Sequence, residues 1–186
     1  MEAVRHLITN GRRRIAYIST PIQDGRNRGY TAAMREAGLK TELIAMEAGP
    51  NLRSRSRHFI SQYAREHGCP EGIFCQNDDV AIGVCRGLRD MEFRVPEDAA
   101  VVGCDAIEDT EYLECPITTI SYPVDEMCAT AWKFLQNRIE NPRCLPQRTV
   151  FPSTLVIRAS SSPSGNGARK DTPCVLVQRE LEESVI

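Results

Sequence analysis

Short, unbroken apolar runs, each separated from the next by a stretch long enough for a helix, set the limits on how this chain can fold. The runs are "RIAYIS" (14–19), "TELIAM" (41–46), "GIFCQ" (72–76), "AAVVGCD" (99–105) and "TTISY" (118–122). A strand with one wet face alternates apolar and polar residues; a strand covered on both faces does not. Between the runs, apolar residues recur at helical spacing. Val4, Leu7 and Ile8 precede a stop at Gly11, and Tyr30, Ala33, Met34 and Ala37 precede Gly38. Phe59, Ile60, Tyr63 and Ala64 mark a third helix, and Val80, Ala81, Val84, Cys85 and Leu88 a fourth. Buried strands alternating with helices predict an α/β fold: an open, mostly parallel sheet with helices on both faces and right-handed crossovers. A long amphipathic helix follows over 124–140, with Val124, Met127, Cys128, Ala131, Leu135 and Ile139 on one side, and "RTVFPSTLVIRAS" is expected to be extended. After Ser160 the run "SSPSGNGARKD" reads as a flexible linker.

Composition narrows the function. With 186 residues and 41% hydrophobic content the chain can build one full core. A net charge of −2 gives no general excess of cations for a phosphate backbone. No run is long enough to span a membrane, and the N-terminal "MEAVRHLITNGRRR" has no secretory pattern. Eight cysteines, none in a Cys-x-x-Cys pair, are then expected in a reducing cytosol, with Cys75, Cys85 and Cys104 as small core residues. No metal site and no cofactor are expected.

The stretch "IFCQNDDVAIG" (73–83) places an amide and two carboxylates where a strand gives way to a helix. Ligands of open parallel sheets bind outside the carboxyl ends of the strands. The residues due there are Ser19, Thr20, Gln23, Asp24 and Arg26 from the first strand, and Gln76, Asn77 and Asp78 from the third. The fourth supplies Cys104 and Asp105, with Glu108 and Asp109 nearby, and the fifth Ser121 and Tyr122. Asn donates and accepts, ionised Asp accepts, and Arg donates in a planar fork. That set suits a hydroxyl-rich ligand such as a sugar, or a polar heterocycle, with an aromatic ring to stack on it. Each member also has a purely local role to play: Asp78 or Asp79 as a helix cap, Asp105 in a turn, Arg26 as solvated surface. No nucleophile elbow, phosphate-binding loop or dinucleotide fingerprint is present, and the three histidines fall on helices away from the rim, so binding is expected rather than catalysis.

Taken in order, "HLITNGRRRIAYIST", "RNRGYTAAMREAGL", "GIFCQNDDVAIGVCRGLRDMEFRVPEDAAVVGCD", "CPITTISYPVDEMCATAWKFL" and "STLVIRASS" resemble the sensor region of LacI/GalR-type transcriptional repressors, from about Ala3 to Ser161. The resemblance implies a periplasmic-binding-protein-like (type I) fold, usually of two lobes closing on a small effector, and a homodimer or a dimer with an intact relative. It places effector contacts on Arg26, Asn77 and Asp105, with Tyr122 where relatives often carry a polar residue. Residues 1–122 would form the effector-binding lobe, 123–160 the segment crossing to the other lobe and the return strand, and 161–186 a flexible tail. The second lobe would be incomplete, and DNA contact would belong to a headpiece absent from this sequence. The basic clusters Arg12–Arg14 and Arg53/Arg55/Arg57 are expected to be a solvated helix end and face. Two other readings share the fold: a periplasmic-type sugar-binding protein, and a stand-alone effector-binding or dimerising module.

Overall fold

The computed structural model describes residues 1–20 and 25–162. A parallel sheet runs in the order β2-β1-β3-β4, built from β1 (Ile15–Ser19), β2 (Glu42–Ala45), β3 (Gly72–Cys75) and β4 (Ala100–Val102). Period-two alternation sends Ile15 and Tyr17 to one face and Ala16 and Ile18 to the other. On the first face Tyr17, Phe74, Ala100 and Val102 pack against α1 (Glu2–Thr9) and α2 (Gly25–Glu36) through Val4, Leu7, Tyr30 and Met34. On the second, Ile18, Ile73, Cys75 and Val101 pack against α3 (Leu52–His67) and α4 (Asp78–Asp90) through Ile60, Val84 and Leu88. Burial on both faces is why β1, β3 and β4 carry continuous apolar runs. β2, at the sheet edge, was expected to be covered likewise but buries only Ile44 and leaves Leu43 and Ala45 exposed.

Two details depart from the pattern read in sequence. Ala37 lies beyond the end of α2 and is exposed. β5 (Thr119–Ser121) pairs antiparallel with β6 (Thr154–Val156) in a two-stranded sheet of its own. That sheet is tied to the main one where Gly103 N–H donates to the Thr118 carbonyl at 2.8 Å and Asp105 N–H to that of Ile120 at 2.9 Å.

The return strand is locked by buried hydroxyls. Ser160 Oγ donates to the Val101 carbonyl at 2.6 Å and accepts from Thr118 N–H at 2.8 Å. Ser161 Oγ lies 2.6 Å from Thr118 Oγ1 and 2.8 Å from His6 Nε2. Asn10 Nδ2 donates to the Ser161 carbonyl at 3.0 Å and lies 3.1 Å from the same His6 nitrogen. A lone pair on Nε2 therefore serves as acceptor, which requires neutral imidazole, and burial depresses the His6 pKa below 6.5. The unfolded chain then takes up the proton first. This contribution to stability is full above pH 6.5 and is lost as pH falls through the depressed folded value. Thermal unfolding at pH 7.5 and 5.5 is expected to show a smaller acid loss in His6→Gln than in the parent; equal losses would mean that His6 does not report on the lock.

The arginine clusters lie at the surface, with Arg13, Arg53 and Arg57 exposed, and most of their side chains are also paired. Arg12 donates to the Pro96 and Glu97 carbonyls. Arg14 grips Glu42 at 3.0 and 2.8 Å. Burial works against the Glu42 charge, but hydrogen bonds from Arg14 and Tyr63 outweigh it and hold the carboxyl below its ordinary value. Arg53, Arg55 and Arg57 pair with Asp79, Glu47 and Asp90.

The long helix α5 (Val124–Glu140) buries none of its residues. Its apolar side stands open, with Val124, Met127, Trp132, Leu135 and Ile139 exposed. Residues 163–186, where most of the flexible tail is expected, lie outside the described residues. Among the described residues no helix is long and apolar enough to cross a membrane.

Candidate functional site

With strand order β2-β1-β3-β4, the chain reverses its direction of travel across the sheet between β1 and β3. Loops leaving adjacent strands at such a point diverge to opposite faces and open a crevice. Gln76, just past β3, bridges it: its Oε1 accepts from Thr20 N–H at 2.7 Å and from the Thr20 hydroxyl at 3.1 Å.

Of the four residues expected to contact an effector, Arg26, Asp105 and Tyr122 come together. Arg26, in the first turn of α2, reaches past the end of β4. Its Nη2 donates to Asp105 Oδ1 at 3.2 Å and its Nε to Cys104 Sγ at 3.3 Å. Cys104 Sγ lies 3.1 Å from the Tyr122 hydroxyl. Tyr122 is half-buried, and burial, helped by the thiol, pushes its pKa up to about 12. Burial also raises the Cys104 thiol, so both groups are neutral near pH 7. Asp105 holds φ at 111° and Ala106 at 53°, backbone that side chains other than glycine rarely adopt. The strain turns the Asp105 carboxylate outward, where it is 40% exposed beside Arg26.

Asn77 sits at the same rim with part of its capacity already used. It is the N-cap of α4: its Oδ1 accepts from Val80 N–H at 3.0 Å. The expectation that Asp78 or Asp79 caps the helix is therefore corrected. Extended backbone at Asn77, φ −153°, aims its side chain back at the first turn, whereas both aspartates are already helical. Asp78 instead is buried and accepts from Thr119 Oγ1 at 2.7 Å and from Ile107 N–H at 2.9 Å. Burial raises its pKa against the pull of these bonds. It thus fixes the loop that carries Asp105. Asp79 pairs with Arg53 at 2.6 Å, and Arg53 pairs also with Asp109 at 2.6 Å. Beside this network a concavity of about 560 Å³ is lined by Gly49–Ser54 and Asp79.

Cys104 was expected both as a small core residue and at the end of the fourth strand, but not as a partner of Arg26. Its contact with Arg26 joins residues 78 positions apart, and nothing in the local pattern reports that. Gln23 and Asp24 lie outside the described residues. Among the described residues the contact between a histidine and a hydroxyl, His6 with Ser161, falls in the β6 lock, where Ser161 is 2% exposed. Among the described residues no group of three or more His, Cys, Asp or Glu side chains is placed to hold a metal ion.

Residues 4–161 match the family described as periplasmic binding protein-like domain. The chain is 34% identical over 163 residues to the ribose operon repressor of Escherichia coli K12, covering 86% of this chain and 49% of that protein. It thus spans about half the length of the curated relatives it matches. Among solved structures, a LacI family transcriptional regulator from an Arthrobacter strain, in complex with lactose, superposes with a TM-score of 0.77 at 27% identity, covering 87% of this chain and 62% of that one. Another from Enterococcus faecium, with bound ribose, gives 0.75 at 26%, covering 87% and 61%. By matched residues, sheet order and these likenesses, the chain belongs to the periplasmic binding protein-like domain family, in the form carried by LacI-type transcriptional regulators.

Proposed function

We propose that this chain is the effector-sensing part of a LacI-type regulator and that its rim, through Arg26, Asn77, Asp105 and Tyr122, takes a neutral sugar. The observation that carries this is the Arg26–Asp105 pair, 3.2 Å apart at the strand ends. A donor fork beside an acceptor, each offsetting the other's charge, suits adjacent hydroxyls better than an anion. Lactose and ribose in the regulators described above support the same class. No step of covalent chemistry is assigned to the rim. In the whole protein, DNA contact would come from a separate segment, and the site of action would be the cytoplasm. Residues 1–122 would be the sensing lobe and 123–160 the crossing segment. The open apolar side of α5 would be covered by the rest of the protein or by a second subunit of a dimer, since faces of this kind seldom stay wet.

The test is a titration of the isotope-labelled chain with D-ribose, lactose and cellobiose, read by amide shifts at 104–106 and at Asn77. Asp105→Ala is expected to weaken binding by about 1–3 kcal/mol, because it strands ligand hydroxyls. Asn77→Asp keeps the capping acceptor but removes the amide donor, and a loss of about the same size is expected. Undiminished affinity in both variants, with the fold intact by circular dichroism, removes this rim as the site. A free purine base that shifts the same amides when no sugar does would replace the ligand class.

A further inference from the structure

We infer that Cys104, braced by Tyr122, is a positioning residue that sets the plane of the Arg26 guanidinium at the rim. This rests on the rim being the ligand site. Guanidinium is a rigid planar fork, so one bond at Nε and one at an Nη fix its plane. Here Nε donates to Cys104 Sγ at 3.3 Å and Nη2 to Asp105 Oδ1 at 3.2 Å. The two acceptors are neighbours in sequence and differ in kind. Asp105 is exposed and charged, so a ligand can compete for it. Cys104 is 0% exposed, so no ligand reaches its sulfur. A thiol is a weak acceptor, but this one is held by the Tyr122 hydroxyl at 3.1 Å and has little water to compete with it.

The neutral thiol anchors Nε without drawing down the guanidinium charge, as a carboxylate in its place would. Asp105 can then exchange Arg26 for ligand hydroxyls while the fork keeps its aim. In this reading Tyr122 acts from behind the thiol through its hydroxyl and bounds the rim with its ring. Arg26 has further contacts, so loss of the thiol is expected to turn the guanidinium rather than expel it.

The experiment follows the Arg26 Nε–H resonance in isotope-labelled full chain, assigned by its disappearance in Arg26→Lys. In the parent that proton is expected to exchange slowly. Cys104→Ala should raise its exchange rate about tenfold, the scale of one lost hydrogen bond. Cys104→Ser, which restores an acceptor, should stay within about threefold of the parent. Tyr122→Phe keeps the ring and removes only the brace, and should fall between. It serves as the deciding variant if Cys104→Ala does not fold. An unchanged Arg26 Nε–H in Tyr122→Phe and in any folded Cys104→Ala overturns the assignment. So does a Cys104→Ser variant as fast as Cys104→Ala, because the contact would then be one of packing.

The same samples separate this proposal from the one beneath it. With D-ribose, lactose and cellobiose added, weaker binding in Cys104→Ala and near-parental binding in Cys104→Ser is the expected result. If Arg26 responds to the substitutions but no sugar shifts the parent spectrum, the positioning role stands and the sugar reading fails.

Discussion

Replacing Gly83 with valine is expected to lower the stability of the chain by about 3 kcal/mol or more, the upper range of overpacking in a filled core. A Cβ at Gly83 would collide with the Arg53 carbonyl oxygen and with Ser56 Oγ. The first of these is backbone and has no rotamer to escape into. Gly87, one turn on, repeats the arrangement against Ile60 and the Arg57 carbonyl. The spacing Gly-x-x-x-Gly therefore lets α4 lie flush on α3, backbone to backbone. Ser56 fits the seam because its hydroxyl turns back on its own helix, donating to the Leu52 carbonyl at 2.8 Å. A better helix former at Gly83 would return about 1 kcal/mol as alanine and less as valine, which does not offset the clash. The change would also disturb the network of Arg53 with Asp79 and Asp109, since Arg53 and Asp79 are carried by the first turns of these two helices. Urea unfolding followed by circular dichroism reads the effect. A loss under about 0.5 kcal/mol, the scale of an ordinary surface substitution, would mean that the two helices are not in backbone contact.

Asp78→Ala is expected to cost about 3 kcal/mol, and Asp78→Asn a large part of that. The partners of the buried carboxylate are donors, above all the Thr119 hydroxyl and the Ile107 N–H. Alanine leaves the Ile107 N–H without its acceptor. Asparagine satisfies one partner and turns an N–H toward the other. Gly103 shows how closely the carboxylate is held: a Cβ there would strike Asp78 Oδ1. Since Asp78 ties α4 to the loop after β4, its loss should also free the positive-φ pair Asp105–Ala106 and weaken the rim. Hydrogen exchange at Ile107 and Ala106 separates the local from the global effect. Unchanged protection at both amides, with parental stability, would show that Asp78 carries no such tie.

Much of this was open to a reader of the sequence, and what was missed has a physical pattern. The helix over 124–140 has the same ends in sequence and structure because its apolar spacing and its flanking Pro123 and Asn141 are local signals. β1 and β3 were recognisable because strands covered on both faces must be apolar throughout. Arg26, Asp105 and Tyr122 were placed at one rim by a topological rule, and there Arg26 meets Asp105 directly and Tyr122 through Cys104. The cap was misread because "NDDV" offers three capping side chains in a row. Only backbone angles say which residue stands just outside the helix. The antiparallel pairing of β5 with β6 was hidden by the residues between them, since a strand's partner is not written in its own pattern.

Local chemistry in the sequence thus determined the kind of elements, their order and the class of sheet, because apolar periodicity and stop residues act within a few positions. It also marked Asn77 and Asp105 as strand-end polar groups, since their neighbours show where the strands stop. Only the tertiary structure decided that Asp78 is a buried tie and Cys104 the anchor of an arginine. It likewise decided that His6 is an acceptor in the lock on β6 and that one side of α5 is left open. Each of these depends on the distance and direction between groups far apart in the chain, and the packing of whole elements sets both.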